Sequence, residues 1–326
     1  MRVGLDVSGL EQTAAGTARY IEALDGIKGV ELVRLAHRGR TRADTVYRDA
    51  VWYPLVLPRL ARRERLDVLH CPTFRGPLAP PACPLVVTVH DLAVLRHPET
   101  FNQWTRQYSR LCVSRVVQAA RLVIAVSEYT KQELVELLGT PVERIRVVPN
   151  GVSMVFTPDG PAEAGDYVLA VGTLEPRKNL VRLAEATQQL GVELRIAGDA
   201  GWGDVRLEGN LIRRLGRVSD EELARLYRGA RCLAYPSLEE GFGIPIVEAM
   251  ASGTPVVTSR GGATEEIAGG AAVLVEPLDP GSIAAGIEEA GARRDELVGL
   301  GLERAKSFDW AKTARRTAEA YREAAA

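Results

Sequence analysis

The chain has 326 residues, more than one ordinary domain of roughly 100–200, so two domains are the expectation. Apolar residues make up 46% and charged residues 25%, and 41 Lys plus Arg against 42 Asp plus Glu leave a formal charge of -1, which excludes a globally basic nucleic-acid-binding surface. No apolar run approaches the ~20 residues of a membrane-spanning helix, and a chain of this size and composition needs no disulfides to bury a core.

The opening Met1-Arg2-Val3-Gly4-Leu5-Asp6-Val7 reads as a first strand over residues 2–7 and not as a secretion signal. The four cysteines, Cys71, Cys83, Cys112 and Cys232, form no Cys-x-x-Cys pair and are expected to be reduced, which points to the cytoplasm. A helix is expected over 17–24, strands over 30–35, 67–70 and 85–89, and a long helix over 104–120. A strand over 122–126, a helix over 128–138 and a strand over 144–148 follow. Runs such as Leu-Val-Val-Thr-Val (85–89) and Leu-Val-Ile-Ala-Val (122–126) are apolar on both faces. That is the signature of a parallel sheet covered by helices on each side.

The pattern then pauses. Pro149-Asn150-Gly151 is a turn signal, and residues 157–166 (TPDGPAEAGD) have the chemistry of a linker. Alternation resumes with strands over 167–171 and 192–196 around a helix over 180–190. A helix over 220–227, a strand over 232–235, a helix over 246–251, strands over 255–258 and 272–275 and a helix over 280–289 follow. A last helix spans 309–325. Two βα arrays in series imply an α/β protein of two doubly wound, Rossmann-like domains facing across a cleft, with ligands at the carboxyl ends of the strands.

The most informative stretch is Tyr235-Pro236-Ser237-Leu238-Glu239-Glu240-Gly241-Phe242-Gly243-Ile244-Pro245-Ile246-Val247-Glu248-Ala249-Met250. It leaves a strand and opens a helix. Gly241 and Gly243 let a ligand approach the backbone, and the N–H groups of a helix start suit a phosphate. Glu248, one to two turns in, is placed to accept from vicinal ribose hydroxyls, and Glu240 to face the other end of the ligand. The plainer reading makes Glu240 a helix cap and Glu248 a surface residue. Arg177 and Lys178 follow a strand at its carboxyl end, where an Arg fork and a compact Lys charge suit phosphate oxygens. His90-Asp91 follows the strand over 85–89 in the same sense. Gly16 lies after the first strand, either as a simple strand-to-helix turn or as a point of close approach. The His70, Cys71, Cys83 and His90 spacing matches no zinc module, so no metal site is expected. Arg59 to Arg65, behind Trp52-Tyr53, reads as a core-facing segment with a solvated basic face; a peripheral contact with an anionic membrane is the other reading.

The Glu240-x7-Glu248 segment resembles the Glu-x7-Glu signature of retaining glycosyltransferases of family 4, which have the GT-B fold. Gly172-Thr173-Leu174-Glu175-Pro176-Arg177-Lys178-Asn179-Leu180, Val89-His90-Asp91-Leu92 and Leu215-Gly216-Arg217-Val218-Ser219 also resemble family segments, as do Ser127-Glu128-Tyr129-Thr130 and Val148-Pro149-Asn150-Gly151-Val152. The likeness covers essentially the whole chain. It implies an acceptor-binding domain over 1–157, a donor-binding domain over 158–308 and a helix over 309–326 crossing back to the first domain. It implies that Arg177 and Lys178 hold the donor diphosphate, Glu240 the sugar hydroxyls and Glu248 the ribose. The backbone of Gly241, Phe242 and Gly243 would meet sugar and phosphate, that around Arg217 and Val218 the base, and His90 the donor sugar. The family's paired glycines after the first strand are reduced here to Gly16, with Ala18 in place of the second, which puts close backbone approach there in doubt.

The expected activity is retaining transfer of a hexose from a nucleoside diphosphate sugar to a hydroxyl of a glycan, lipid-linked or small-molecule acceptor, without a metal or other cofactor. GDP-mannose is the first expectation for the donor, because the motifs are similar to those of bacterial mannosyltransferases, and a UDP-sugar is the alternative. The other readings are a sugar-nucleotide epimerase, a phosphorylase, or a non-catalytic nucleotide-sugar binding subunit. No nucleic-acid partner is expected, and the place of work is the cytoplasm or the inner face of its membrane.

Overall fold

In the computed structural model, which describes residues 1–11, 16–39, 41–101, 103–201, 203 and 205–326, the apolar runs line up as two six-stranded sheets. The first contains β1 (Arg2–Asp6), β2 (Glu31–Leu35), β3 (Val68–Cys71), β4 (Leu85–Val89), β5 (Leu122–Ala125) and β6 (Ile145–Val147), in the order β2-β1-β3-β4-β5-β6. The second contains β7 (Tyr167–Val171), β8 (Glu193–Ala197), β9 (Ile212–Gly216), β10 (Cys232–Tyr235), β11 (Val256–Ser259) and β12 (Val273–Val275), in the order β12-β11-β10-β7-β8-β9. All neighbours pair in parallel. Every residue of β3, β4, β5, β10 and β11 is buried, as two-sided apolar strands require. Strand order reverses between β1 and β3 in the first sheet and between β7 and β10 in the second. Such switch points open a crevice outside the carboxyl ends of the strands.

The chain divides into two compact units. One comprises Met1–Pro98, Gln103–Gly151 and Trp310–Ala326, the other Glu99–Asn102 and Val152–Asp309. The boundary at 151/152 precedes the linker-like stretch by several residues, because that stretch is tied down inside the second unit. Arg228 donates to Pro161 O (2.8 Å) and Thr157 O (3.1 Å), and Glu163 N–H to Arg225 O (3.0 Å). Gly and Pro composition marks irregular backbone, not independence from the neighbouring domain.

Several elements carry weak local signals. β9 is an edge strand whose Arg213 and Arg214 are exposed, so its sequence lacks an apolar run. Helices also form at Arg42–Tyr47, opened by a Thr41/Asp44 capping box, and at Leu57–Arg63. Between them Arg48–Val56 winds more widely, with Leu57 N–H bonded to Trp52 O five residues back and Pro54 inside. Trp52, Tyr53, Leu57 and Ala61 face the core while Arg59, Arg62 and Arg63 are exposed, a core-facing segment with a solvated basic face. No helix among the described residues is long and apolar enough to cross a membrane.

The helix Trp310–Ala325 packs on the first sheet. Its Ala314, Ala318 and Tyr321 join Val3, Leu5, Val86 and Ile124 in one cluster, the alanines allowing close approach. A buried polar chain crosses this contact. His70 Nδ1 lies 2.7 Å from Tyr321 Oη and Nε2 lies 2.8 Å from Thr88 Oγ1, which is 2.9 Å from Tyr20 Oη. Both ring nitrogens of His70 are thus engaged within the fold.

Burial lowers the His70 pKa to about 3, below its ordinary value near 6.5. The unfolded chain therefore takes up this proton first, so the stability that neutral His70 confers is complete above about pH 6.5 and is lost as pH falls toward 3. Unfolding free energy is expected to fall in that window, with His70 contributing up to about 1.4 kcal/mol per pH unit. His70→Asn should flatten the slope between pH 6.5 and 4.5 in urea titrations. An unchanged slope would assign the acid sensitivity elsewhere.

Candidate active site

In the second unit, β7 and β10 are neighbours, so the turns that leave their carboxyl ends meet. The turn after β7 carries Glu175, Arg177 and Lys178, and Asn179 closes it in the left-handed region (φ +57°) before the helix Leu180–Leu190. Asn179 holds that conformation by donating Nδ2–H to Pro236 O (3.0 Å) and Pro277 O (2.5 Å). The turn after β10 carries Glu240. Lys178 Nζ is 2.6 Å from Glu240 Oε1 and 2.6 Å from Tyr235 Oη, and the Tyr235 hydroxyl donates to the same Oε1 at 2.9 Å. Arg177 reaches Glu240 Oε2, Glu239 O and Glu175 Oε1, each at 2.7 Å. Arg177, Lys178 and Glu240 side chains are only 13%, 12% and 9% exposed. They are therefore not ordinary solvated charges.

Electrostatics follow from this packing. Burial opposes the charge of Glu240, but Arg177 and Lys178 outweigh it and hold the carboxyl down to about 2. Burial pushes the Lys178 ammonium below its usual range, against the pull of Glu240. Glu240 is thus the counter-ion of two cations and not a helix cap. The helix Ile244–Ala251 starts instead at Gly243 (φ +94°), with no side-chain cap. Its first-turn N–H groups point toward the turn that holds Gly241 and Gly243. The Phe242 ring turns away and packs edge-on against Phe308 (5.6 Å). Glu248 is buried rather than on the surface, and Tyr227 donates its hydroxyl to Oε2 at 3.0 Å. Arg217 and Val218 follow β9, two strands from β7, with Arg217 exposed.

Two candidates lie in the first unit. His90 follows β4, and its Nε2–H donates to Pro72 O (3.1 Å) while the ring stands edge-on to Tyr20 (5.0 Å). A carbonyl only accepts, so in the neutral ring Nδ1 is left as an acceptor. Burial lowers the His90 pKa, although Asp91 opposes this, and the ring is neutral near pH 7. Asp91 Oδ1 accepts from Ala93 N–H (3.1 Å), so it caps the next turn. Gly16 is the first residue of the helix Gly16–Leu24, in which Ala18 is buried.

Comparison with known proteins gives this geometry a family. Residues 165–292 match the model described as Glycosyl transferases group 1, and residues 4–156 match Glycosyltransferase Family 4. The chain is 34% identical over 266 residues to the O-antigen chain mannosyltransferase B of Escherichia coli, an alignment spanning 73% of this chain and 70% of that protein. The chain belongs to this glycosyltransferase family. It is also 28% identical to the D-inositol 3-phosphate glycosyltransferase of Nocardioides sp., across 96% of this chain and 80% of that one. Its fold is GT-B. The sucrose-phosphate synthase of Thermosynechococcus elongatus superposes with a TM-score of 0.78 at 20% identity, covering 99% of this chain and 98% of that one.

In this glycosyltransferase four polar residues beyond those read from the sequence complete the second unit's site. Glu175 pairs with Arg177, Tyr235 bonds both Lys178 and Glu240, Asn179 staples the two turns together, and Tyr227 holds Glu248. Glu175 lies two residues before Arg177 in a turn, and Tyr235 ends a strand. Those positions were the available signal. What they contact depends on the pairing of β7 with β10.

Proposed function

We propose that this glycosyltransferase moves a hexose from a nucleoside diphosphate sugar to an acceptor hydroxyl with retention at the anomeric carbon and without a divalent metal. The observation that carries this reading is the buried Arg177–Lys178–Glu240 cluster at the carboxyl ends of β7 and β10. As the bond between the anomeric carbon and the diphosphate oxygen breaks, negative charge grows on the leaving group. A guanidinium fork and an ammonium already fixed by Glu240 meet that charge without reorganising. Glu240 then turns its carboxylate to hydroxyls of the donor sugar. The open helix start at Gly243 adds N–H groups for phosphate, and the glycines of the turn allow close approach. Glu248, oriented by Tyr227, accepts from the ribose hydroxyls, and the base lies along the backbone at Arg217 and Val218. In the first unit the neutral His90 offers Nδ1 to a sugar hydroxyl, and Gly16, at the start of its helix, lets acceptor and phosphate come near.

Mannose is the sugar and GDP the carrier that we favour, on the likeness to the mannosyltransferase of Escherichia coli. A UDP-sugar is the second reading, because Anabaena HepE, which superposes with a TM-score of 0.72 at 20% identity, was solved in complex with UDP-glucose. Titration of the full chain with GDP, UDP and ADP by calorimetry tests both. One nucleotide is expected to bind at least tenfold tighter than the others, and binding of none would overturn the donor assignment. Glu248→Gln keeps an acceptor for Tyr227 but loses the charge toward the ribose. It should weaken nucleotide binding by ~1.5–3 kcal/mol, tenfold to over a hundredfold. Wild-type affinity in a folded variant would remove the ribose role.

A further inference from the structure

The first unit holds a second charged cluster, outside the carboxyl ends of β1, β2 and β3. Asp6 ends β1, the widely wound Arg48–Val56 segment follows β2, and Arg75 follows β3. This is the switch point of the first sheet, where the strand order turns from β1 to β3. Arg48 is buried to 2% exposure. Its Nε donates to Asp49 Oδ1 at 3.3 Å. Arg75 NH1 lies 2.5 Å from both oxygens of the same carboxylate, and Trp104 Nε1–H donates to Oδ2 at 3.0 Å. One buried carboxylate therefore serves two guanidiniums and an indole.

Arg48 NH1 is buried with no acceptor among the described residues, and the Tyr108 hydroxyl is buried without a partner among them too. The Tyr108 ring lies under the Arg75 guanidinium at 4.9 Å. Asp6 Oδ1 accepts from Ser8 Oγ–H (2.6 Å). Within the hydrogen-bonded set of Arg48, Arg75 and Asp49, the guanidiniums exceed the carboxylate by one. A buried guanidinium N–H without an acceptor is costly, and proteins keep such groups where a partner arrives. Arg75 keeps 16% exposure, so the cluster is not closed to solvent.

We propose that Arg48 and Arg75 hold an anionic group, a phosphate ester or a carboxylate, on the acceptor of the transferred sugar. This rests on the glycosyltransferase reading above and narrows its acceptor class. A forked guanidinium pair matches the planar spacing of two such oxygens, and the Tyr108 hydroxyl supplies a third donor. Asp49 holds both guanidiniums in place and repels an anion that approaches from its own side.

Calorimetric titration of the full chain with methyl phosphate, and separately with methyl glucuronide, tests the proposal. A saturating nucleoside diphosphate is present throughout, so the second unit's cations are occupied. Saturable binding of one probe is expected, weakened at least tenfold by Arg75→Gln and by Arg48→Met, and partly kept by Arg75→Lys. Methyl phosphate as the tighter probe identifies a phosphate ester, and methyl glucuronide a carboxylate. Nucleoside diphosphate affinity should stay at the wild-type value in each variant. Where Arg48→Met fails to fold, the partly exposed Arg75→Gln decides. Binding of neither probe, or unchanged binding in Arg75→Gln, overturns the proposal. Absence of nucleotide binding itself would instead refute the donor assignment.

Discussion

Lys178→Ala should lower turnover by about 10²–10³-fold, the usual cost of removing one fixed donor from a developing negative charge. Lys178 Nζ sits within 2.6 Å of both Glu240 Oε1 and Tyr235 Oη and 4.8 Å from the centre of the Tyr235 ring, so its position is set before any ligand arrives. Burial disfavours its charge and Glu240 restores it. The ammonium is therefore poorly hydrated and can pass to a diphosphate without first shedding water. The substitution leaves the Tyr235 hydroxyl on Glu240 and Arg177 on Glu239 O and Glu175, so the turn should keep its shape. The free nucleoside, which has no phosphate, should bind as in the wild type while kcat falls. The opposite pattern, lost nucleoside affinity with turnover intact, would remove Lys178 from the phosphate.

Glu240→Gln should destabilise the ligand-free chain by about 3 kcal/mol. Removing one partner of a buried ion pair costs ~3–5 kcal/mol. The low end applies because Arg177 keeps Glu175. The effect depends on pH with a definite sign. Glu240 is held down to about 2 from an ordinary 4.5, so its contribution is complete above pH 4.5 and fades as pH falls toward 2. Wild type and variant should therefore converge in stability in acid. A bound nucleoside diphosphate supplies the missing negative charge, so saturating nucleotide should raise the Tm of Glu240→Gln more than that of wild type. Equal stability of the two chains at pH 7 in urea titrations would show that Glu240 is not the counter-ion.

The strands were legible because their chemistry is local. Residues 85–89 and 122–126 are apolar on both faces, which only a doubly covered sheet can bury. The glycines around Phe242 and the helix behind them were equally plain. β9 escaped because an edge strand needs no apolar face, and its exposed Arg213 and Arg214 hide the alternation. The helices between 42 and 63 escaped because Pro54, in the wider-wound segment between them, breaks the helical period. Linker-like composition at 157–166 marked irregular chain, and hydrogen bonds to Arg225 and Arg228 place that chain inside the second unit.

By itself the sequence determined the two βα arrays, the turns at strand ends and the glycosyltransferase signature, since each is written in neighbouring residues. Only the tertiary structure decided which charges meet. Lys178 and Glu240 are 62 residues apart and touch because β10 crosses back to lie beside β7. His70 and Tyr321 are 251 residues apart and touch because the last helix returns to the first sheet. Arg48 and Arg75 converge on Asp49 across the ends of β2 and β3. Hydrophobic periodicity has a range of a few residues, whereas the pairing of buried charges is set by strand order.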